Sequence, residues 1–313
     1  INLLDSAYVN RFKRIRTYIS FNIVKIIRFE LFKRRYFPLR TKAMNIINPK
    51  LIPQADYVVV GSDQVWNREI TKASALSFFL DFVPPSVKRV SLASSFGKAF
   101  WNDSSQFTLQ VRDEIHKFHA VSVREQSGVR ICRDVFQVDA MQLVDPTIAL
   151  KDFSSLFSNN IVMHNDITCF IFIQSELFNY VSDFISTKLG SPVRHIGYFT
   201  KQSYGIKKAC SSPLDFIKNI AGASFVISDS FHGIVFSILF KKQFIVLRAI
   251  EDRFERISAL MRMLELEHRI VLSKEDIEKN SKVILEEIDY TKVESILETK
   301  RHEFYTFVQK NII

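Results

Sequence analysis

The chain has 313 residues, 47% of them hydrophobic and 29 of them Phe, which is enough to bury the cores of two modest domains and excludes a disordered chain. Its three cysteines, Cys132, Cys169 and Cys210, lie far apart without metal-ligand spacing, so neither a disulfide framework nor a cysteine metal site is expected, and a reducing cytoplasm is the expected location. The formal net charge of +10 is concentrated: residues 1–42 hold eleven Lys and Arg against two acids, so nine of the ten excess charges belong to one arm.

In chain order, residues 8–37 read as one or two helices with Phe, Ile, Leu and Tyr among the bases. A basic helix with an apolar stripe can lie on an anionic membrane surface, here the inner face. It can equally dock by that stripe on its own domain with its bases in water. No nucleic-acid motif accompanies the arm, so nucleic acid is not an expected partner. No run approaches the eighteen or so apolar residues of a membrane span. The chain begins with Ile rather than Met, and no signal peptide is visible in it.

From residue 56 the texture changes to short apolar runs separated by polar loops. Strands are predicted at 56–60, 88–93 and 119–123, with a helix over 104–118 and a closing segment, QLVDPTIAL, at 142–150. A near-continuous apolar run at 167–173 predicts a buried parallel strand. A helix follows at 176–189 and stops at Gly190, and a further strand lies near 192–198. Ser212-Pro213 with Asp215 marks a helix start through cap, first-turn proline and dipole. Residues 225–247 alternate strand, polar turn, apolar helix and strand, a compact βαβ unit. Helices near 251–266, 275–286 and 291–309 finish the chain.

This alternation predicts an α/β protein of parallel sheets flanked by helices. The division is expected near residue 150. Residues 1–150 would form an N-terminal α/β domain preceded by the basic helical arm, about 8–42. Residues 151–313 would form a second domain carrying SDSFHG, its last helix packing back on the first.

Ligands of parallel sheets gather at the carboxyl ends of strands. Three polar clusters are predicted there: Gly61 to Trp66, Arg124-Glu125, and Asp229 to Gly233. Ser230 is placed to cap the apolar helix after strand 225–228, and that helix start attracts a phosphate or carboxylate. His232 in the same turn could donate a proton, or simply bond a nearby carbonyl. Arg124 could fork onto an anion or pair with a local acid. Arg253 and Arg256 share a helix face, and solvation is the expected state of Arg256. No P-loop, dinucleotide fingerprint, zinc site or nucleophile elbow is present.

Together DYVVVGSDQVWN (56–67), FFLDFVP (78–84), RVSLASSFG (89–97), VSVREQSG (121–128), LVDPTIAL (143–150), SDSFHG (228–233) and RFERISALMRMLELEHRIV (253–271) resemble the polysaccharide pyruvyl transferase family, in family order over about residues 56–272. The resemblance implies two Rossmann-like domains facing across a cleft, similar to GT-B glycosyltransferases. It implies a ketal-forming transfer of pyruvate from phosphoenolpyruvate, without a further cofactor or metal, onto a free or lipid-linked sugar of a surface or capsular polysaccharide. His232 becomes the implied general acid. Arg124 and Arg253 become implied anion clamps, Ser230 and Gly233 part of the donor site, and Ser62, Asp63 and Gln64 a cleft wall. Ser230 stands where many relatives carry Arg, and no turn like the family's NYGAxLQ precedes residue 56. A glycosyltransferase on a similar scaffold, and a non-catalytic scaffold for glycan assembly, are the alternatives.

Overall fold

A computed structural model describes residues 23–24, 26–38, 54–156, 161–197, 208–209, 212–248 and 251–313. The chain divides into two compact units, and each is discontinuous in sequence. One comprises Thr41–Asp152, Arg248–Ile270 and Glu286–Ile313; the other comprises Ile1–Arg40, Phe153–Leu247 and Val271–Leu285. A single cut near residue 150 does not express this, because the chain crosses back after residue 247.

The unit containing residue 57 is built on a parallel sheet in the order β1-β2-β3-β4, with β1 at Tyr57–Val60, β2 at Lys88–Ser94, β3 at Phe118–Val123 and β4 at Met141–Gln142. Gly61 ends β1 with φ +149, and a Cβ there would meet the Leu92 carbonyl oxygen at 2.0 Å. Only glycine permits so close a crossing of backbones. β2 shifts register between Ser91 and Ser94. Buried serines repair the ladder: Ser122 Oγ accepts from Ala93 N at 3.0 Å and Ser91 Oγ donates to the Ser122 carbonyl at 2.7 Å. The short helix α2 (Arg68–Thr71) follows β1, α3 (Ser105–Ile115) precedes β3, and α4 (Gln126–Ile131) and α5 (Pro146–Ala149) follow β3 and β4. Trp66 is fully buried beneath the loop after β1. Its indole stacks on Phe79 with centroids 5.1 Å apart, and its Nε1 donates to the Phe78 carbonyl at 2.9 Å.

The other unit carries a six-stranded sheet in the order β10-β9-β8-β5-β6-β7. Its strands are β5 (Ile167–Phe170), β6 (Val193–Gly197), β7 (Lys208–Ala209), β8 (Phe225–Ser228), β9 (Gln243–Leu247) and β10 (Ile270–Val271). β5 pairs in parallel with both β6 and β8. Successive strands are thus laid down from β5 to one side and then, beginning with β8, to the other. This is the doubly wound Rossmann order, with its switch point between β5 and β8. The helices of this unit are α1 over residues 26–36, α6 (Glu176–Leu189), α7 (Pro213–Gly222), α8 (Phe231–Leu239) and α10 (Lys274–Leu285). The sequence signals for α6 and α7 hold: Gly190 closes α6 at φ 60, and Ser212 caps α7 by accepting from Asp215 N at 3.2 Å.

Two late helices belong with the first sheet. They are α9 (Glu251–Met263) and α11 (Tyr290–Asn311). α11 lies on α5, where the buried Arg301 donates from Nε to the Ile148 carbonyl at 2.9 Å and Tyr305 from its hydroxyl to the Ala149 carbonyl at 3.1 Å. These bonds satisfy the free carbonyls of a helix too short to bond them itself.

Candidate functional site

In the unit of the four-stranded sheet, every strand delivers polar groups at its carboxyl end, and they meet. Arg124 follows β3 with its side chain 3% exposed. Its Nε donates to Glu125 Oε1 at 2.9 Å, its Nη1 to Asp145 Oδ2 at 2.6 Å and its Nη2 to Asp63 Oδ1 at 3.4 Å. Ser62 Oγ donates to the same Asp145 oxygen at 3.3 Å, and Ser95, after β2, donates to Glu125 Oε1 at 2.9 Å. Burial by itself would lower the pKa of Arg124; the adjoining Glu125 and Asp145 carboxylates outweigh it and raise the value. All three guanidinium nitrogens of Arg124 therefore meet carboxylates, in the pairing read from sequence as one of two alternatives.

Arg256 joins this cluster from α9. It is buried, not solvated, and its Nη1 donates to Asp63 Oδ1 at 3.2 Å. The reason is that α9 returns to this unit, which a helical face read from sequence does not show. Asp63, with a side chain 64% exposed, is thus held through one carboxylate oxygen by two buried guanidiniums. Gln64 turns inward: its Oε1 accepts from Asn67 Nδ2 at 2.9 Å, and Asn67 in turn caps α2. Arg253 lies in α9, and its side chain falls outside the described residues.

In the unit of the six-stranded sheet, α8 starts at the switch point. Ser230 is its N-cap, with Oγ accepting from Gly233 N at 3.4 Å. Gly233 is required by close approach, since a Cβ there would meet Ser228 Oγ at 2.3 Å. Ser228 is fixed in turn, donating to the Phe170 carbonyl of β5 at 2.8 Å and accepting from Ser230 N at 3.1 Å. His232 occupies the first turn, half-buried, with its ring edge-on to Phe231 at 5.4 Å.

Asp229 was not among the site residues expected from sequence beyond its place in the cluster. Its carboxylate accepts from Phe172 N at 2.9 and 3.0 Å and from Ile173 N at 3.1 Å. Beyond Phe170, where β5 ends opposite the last residue of β8 although the apolar run continues to Ile173, the amides of Phe172 and Ile173 serve the Asp229 side chain and not the ladder. Burial pushes the Asp229 carboxyl up to about 6, against the pull of those backbone N–H groups. Elsewhere, burial pushes the Cys132 thiol up to about 12, which removes it as a nucleophile near neutrality.

The structure therefore brings Ser62, Asp63 and Arg124 into one network, to which Glu125, Asp145 and Arg256 are added. It brings Ser230, His232 and Gly233 together at the start of α8. Arg256 carried a sequence signal, its spacing from Arg253, but no local feature pointed it at Asp63.

No curated protein matches the chain. Among solved structures, a crystal structure of the glycotransferase of kitacinnamycin aligns with 80% of this chain and 72% of that one, at 8% identity and a TM-score of 0.37. The polysaccharide pyruvyl transferase family matches residues 4–249, beginning well ahead of the motif at residue 56. With more than half of its length inside that match, the chain belongs to the polysaccharide pyruvyl transferase family.

Proposed function

We propose that the chain transfers the pyruvate unit of phosphoenolpyruvate to two hydroxyls of one sugar, forming a ketal on a precursor of a surface or capsular polysaccharide. The observation that carries this reading is His232 in the first turn of α8, at the switch point of a Rossmann-order sheet, in a chain of this family. His232 protonates the methylene carbon of phosphoenolpyruvate, which becomes the methyl group of the ketal. The first sugar hydroxyl adds to the resulting oxocarbenium-like carbon. Inorganic phosphate leaves with the enol oxygen, and the second hydroxyl closes the ring. The two hydroxyl protons are released, one restoring the acid and one leaving with phosphate or solvent.

The remaining candidates keep the roles that family membership suggests. The positive dipole end at the start of α8 suits the donor's anionic groups, with Ser230 and Gly233 shaping that turn. Arg124 and Arg253 remain candidate anion clamps, and Ser62, Asp63 and Gln64 candidate substrate-binding residues. Arg124 in this role exchanges one of its carboxylate partners for the donor.

Among the described residues no helix is long and apolar enough to cross a membrane. The outer face of α1 supports peripheral contact with an anionic membrane carrying a lipid-linked acceptor. Phe29, Phe32 and Tyr36 are half-buried on one side, while Ile27 and Leu31, each more than half exposed, line the other with Arg34 and Arg35 beside them.

The test is incubation of the full chain with phosphoenolpyruvate and a panel of nucleotide-linked and lipid-linked sugars, with phosphate release and product mass as readouts. Phosphate release coupled to a sugar product bearing an added carboxylate is expected. Transfer of a glycosyl unit, with phosphoenolpyruvate untouched, would overturn the proposal.

A further inference from the structure

We propose that Phe172, held beside the first turn of α8 by the Asp229 carboxylate, is the platform on which the ring of the acceptor sugar stacks. This deepens the function proposed above and rests on the chain acting on a sugar. Phe172 follows β5 and Asp229 follows β8, and the two strands are neighbours in register, Phe170 opposite Ser228. Their carboxyl ends form the switch point, the place where doubly wound sheets hold ligands. Phe172 is 58% exposed and Ile173 42%, an apolar pair in solvent at a strand end whose own strand is wholly buried.

The position of this pair is built. The Asp229 carboxylate takes both consecutive amides, so the backbone of Phe172 and Ile173 is clamped by a residue three positions before His232. The Phe172 ring leans edge-on against Phe170 at 5.3 Å with an interplanar angle of 67°. A ring supported by an edge contact and largely open to solvent offers a face. The electron-rich face of an aromatic ring attracts the partly positive C–H groups of a pyranose, whose hydroxyls point outward to polar neighbours. Ser230 and His232 follow Asp229 by one and three residues, at the same end of the sheet. An anionic donor gains nothing from an apolar ring, whereas a sugar has both an apolar face and a polar rim, the combination that ligand sites present.

The experiment uses the full chain and three probes: methyl β-D-glucopyranoside, methyl β-D-galactopyranoside and methyl N-acetyl-β-D-glucosaminide. Saturation-transfer NMR measures their binding, and calorimetry measures binding of phosphoenolpyruvate. Wild type should bind at least one glycoside with saturation concentrated on ring C–H protons. Phe172→Ala should weaken that binding about tenfold, the scale of one aromatic contact. Phe172→Trp should stay within about threefold of wild type by the same reasoning, and phosphoenolpyruvate binding should be unchanged in both. The exposed ring fills no core, so neither variant threatens folding. As a positioning residue, Asp229 has its own readout: Asp229→Asn should speed amide exchange at Phe172 and Ile173 while leaving the Ser230-capped Gly233 amide as it was. Unaltered glycoside binding in Phe172→Ala, or no glycoside binding by wild type, overturns the platform. Retained phosphoenolpyruvate binding in either case leaves the transferase reading standing; its loss in wild type sinks that reading separately. Unchanged exchange at Phe172 and Ile173 removes Asp229 from its positioning role.

Discussion

Replacing Asp229 by Asn should change how the stability of the six-stranded unit depends on pH. Asp229 is buried, and its carboxyl sits at about 6 in the folded chain, where an unfolded Asp titrates near 3.9. Between those values the folded state binds the proton that the unfolded state has lost. Stability from this group is therefore lost as pH rises from about 4 to about 6, the reverse of a salt-bridged carboxylate. A gap of about two pKa units at about 1.4 kcal/mol each makes the loss about 3 kcal/mol. Asp229→Asn cannot titrate, so the wild-type curve minus the variant curve should fall by about that amount between pH 4 and pH 7. Hydrogen exchange of the β5 and β8 amides, corrected for intrinsic rates, reads the opening of this unit alone. The offset between the two curves reports the hydrogen bonds that Asn cannot make to Phe172 and Ile173, and only the slope bears on the argument. A flat difference curve would show that the N–H groups fully offset desolvation. A rising one would show that they exceed it.

His232→Gln should stay folded, bind phosphoenolpyruvate within about tenfold of wild type, and lose two to four orders of magnitude in turnover, as removal of a general acid does; full turnover in a phosphate-release assay would place the acid elsewhere. Arg124→Met leaves Glu125 and Asp145 buried without the guanidinium between them and should cost about 3–5 kcal/mol. Urea unfolding followed by Trp66 and Trp101 fluorescence, both in that unit, measures this, and a loss below about 1 kcal/mol would mean the cluster is not held by Arg124. Binding of the chain to anionic vesicles should weaken steeply with salt and vanish when Lys33, Arg34 and Arg35 are all changed to Glu. Equal binding to neutral vesicles at any salt would refute an electrostatic contact.

Much of the architecture was legible in the residues themselves, because it is written locally. A run such as YVVV closed by Gly61, or FVIS followed by Asp229 and Ser230, states strand, turn and helix start within ten residues, through side-chain period, glycine tolerance and capping. Ser212, Ser230 and Gly190 act where those rules place them. The polar clusters at strand ends were legible for the same reason. What only the tertiary structure decided was partnership. Asp63 meets Arg256 across 193 positions, and Asp229 meets Phe172 across 57. Neither pairing has a local signature, since any acid can pair with any arginine until strand order brings two ends together. The same holds for strand length: the apolar run to Ile173 predicts a longer β5, yet the strand ends at Phe170, opposite the last residue of β8, and the amides of Phe172 and Ile173 go to the Asp229 carboxylate. Periodicity and capping depend on neighbours along the chain and can be read from it. The destination of a charge depends on which elements become neighbours in space, and that is settled only when the sheets assemble.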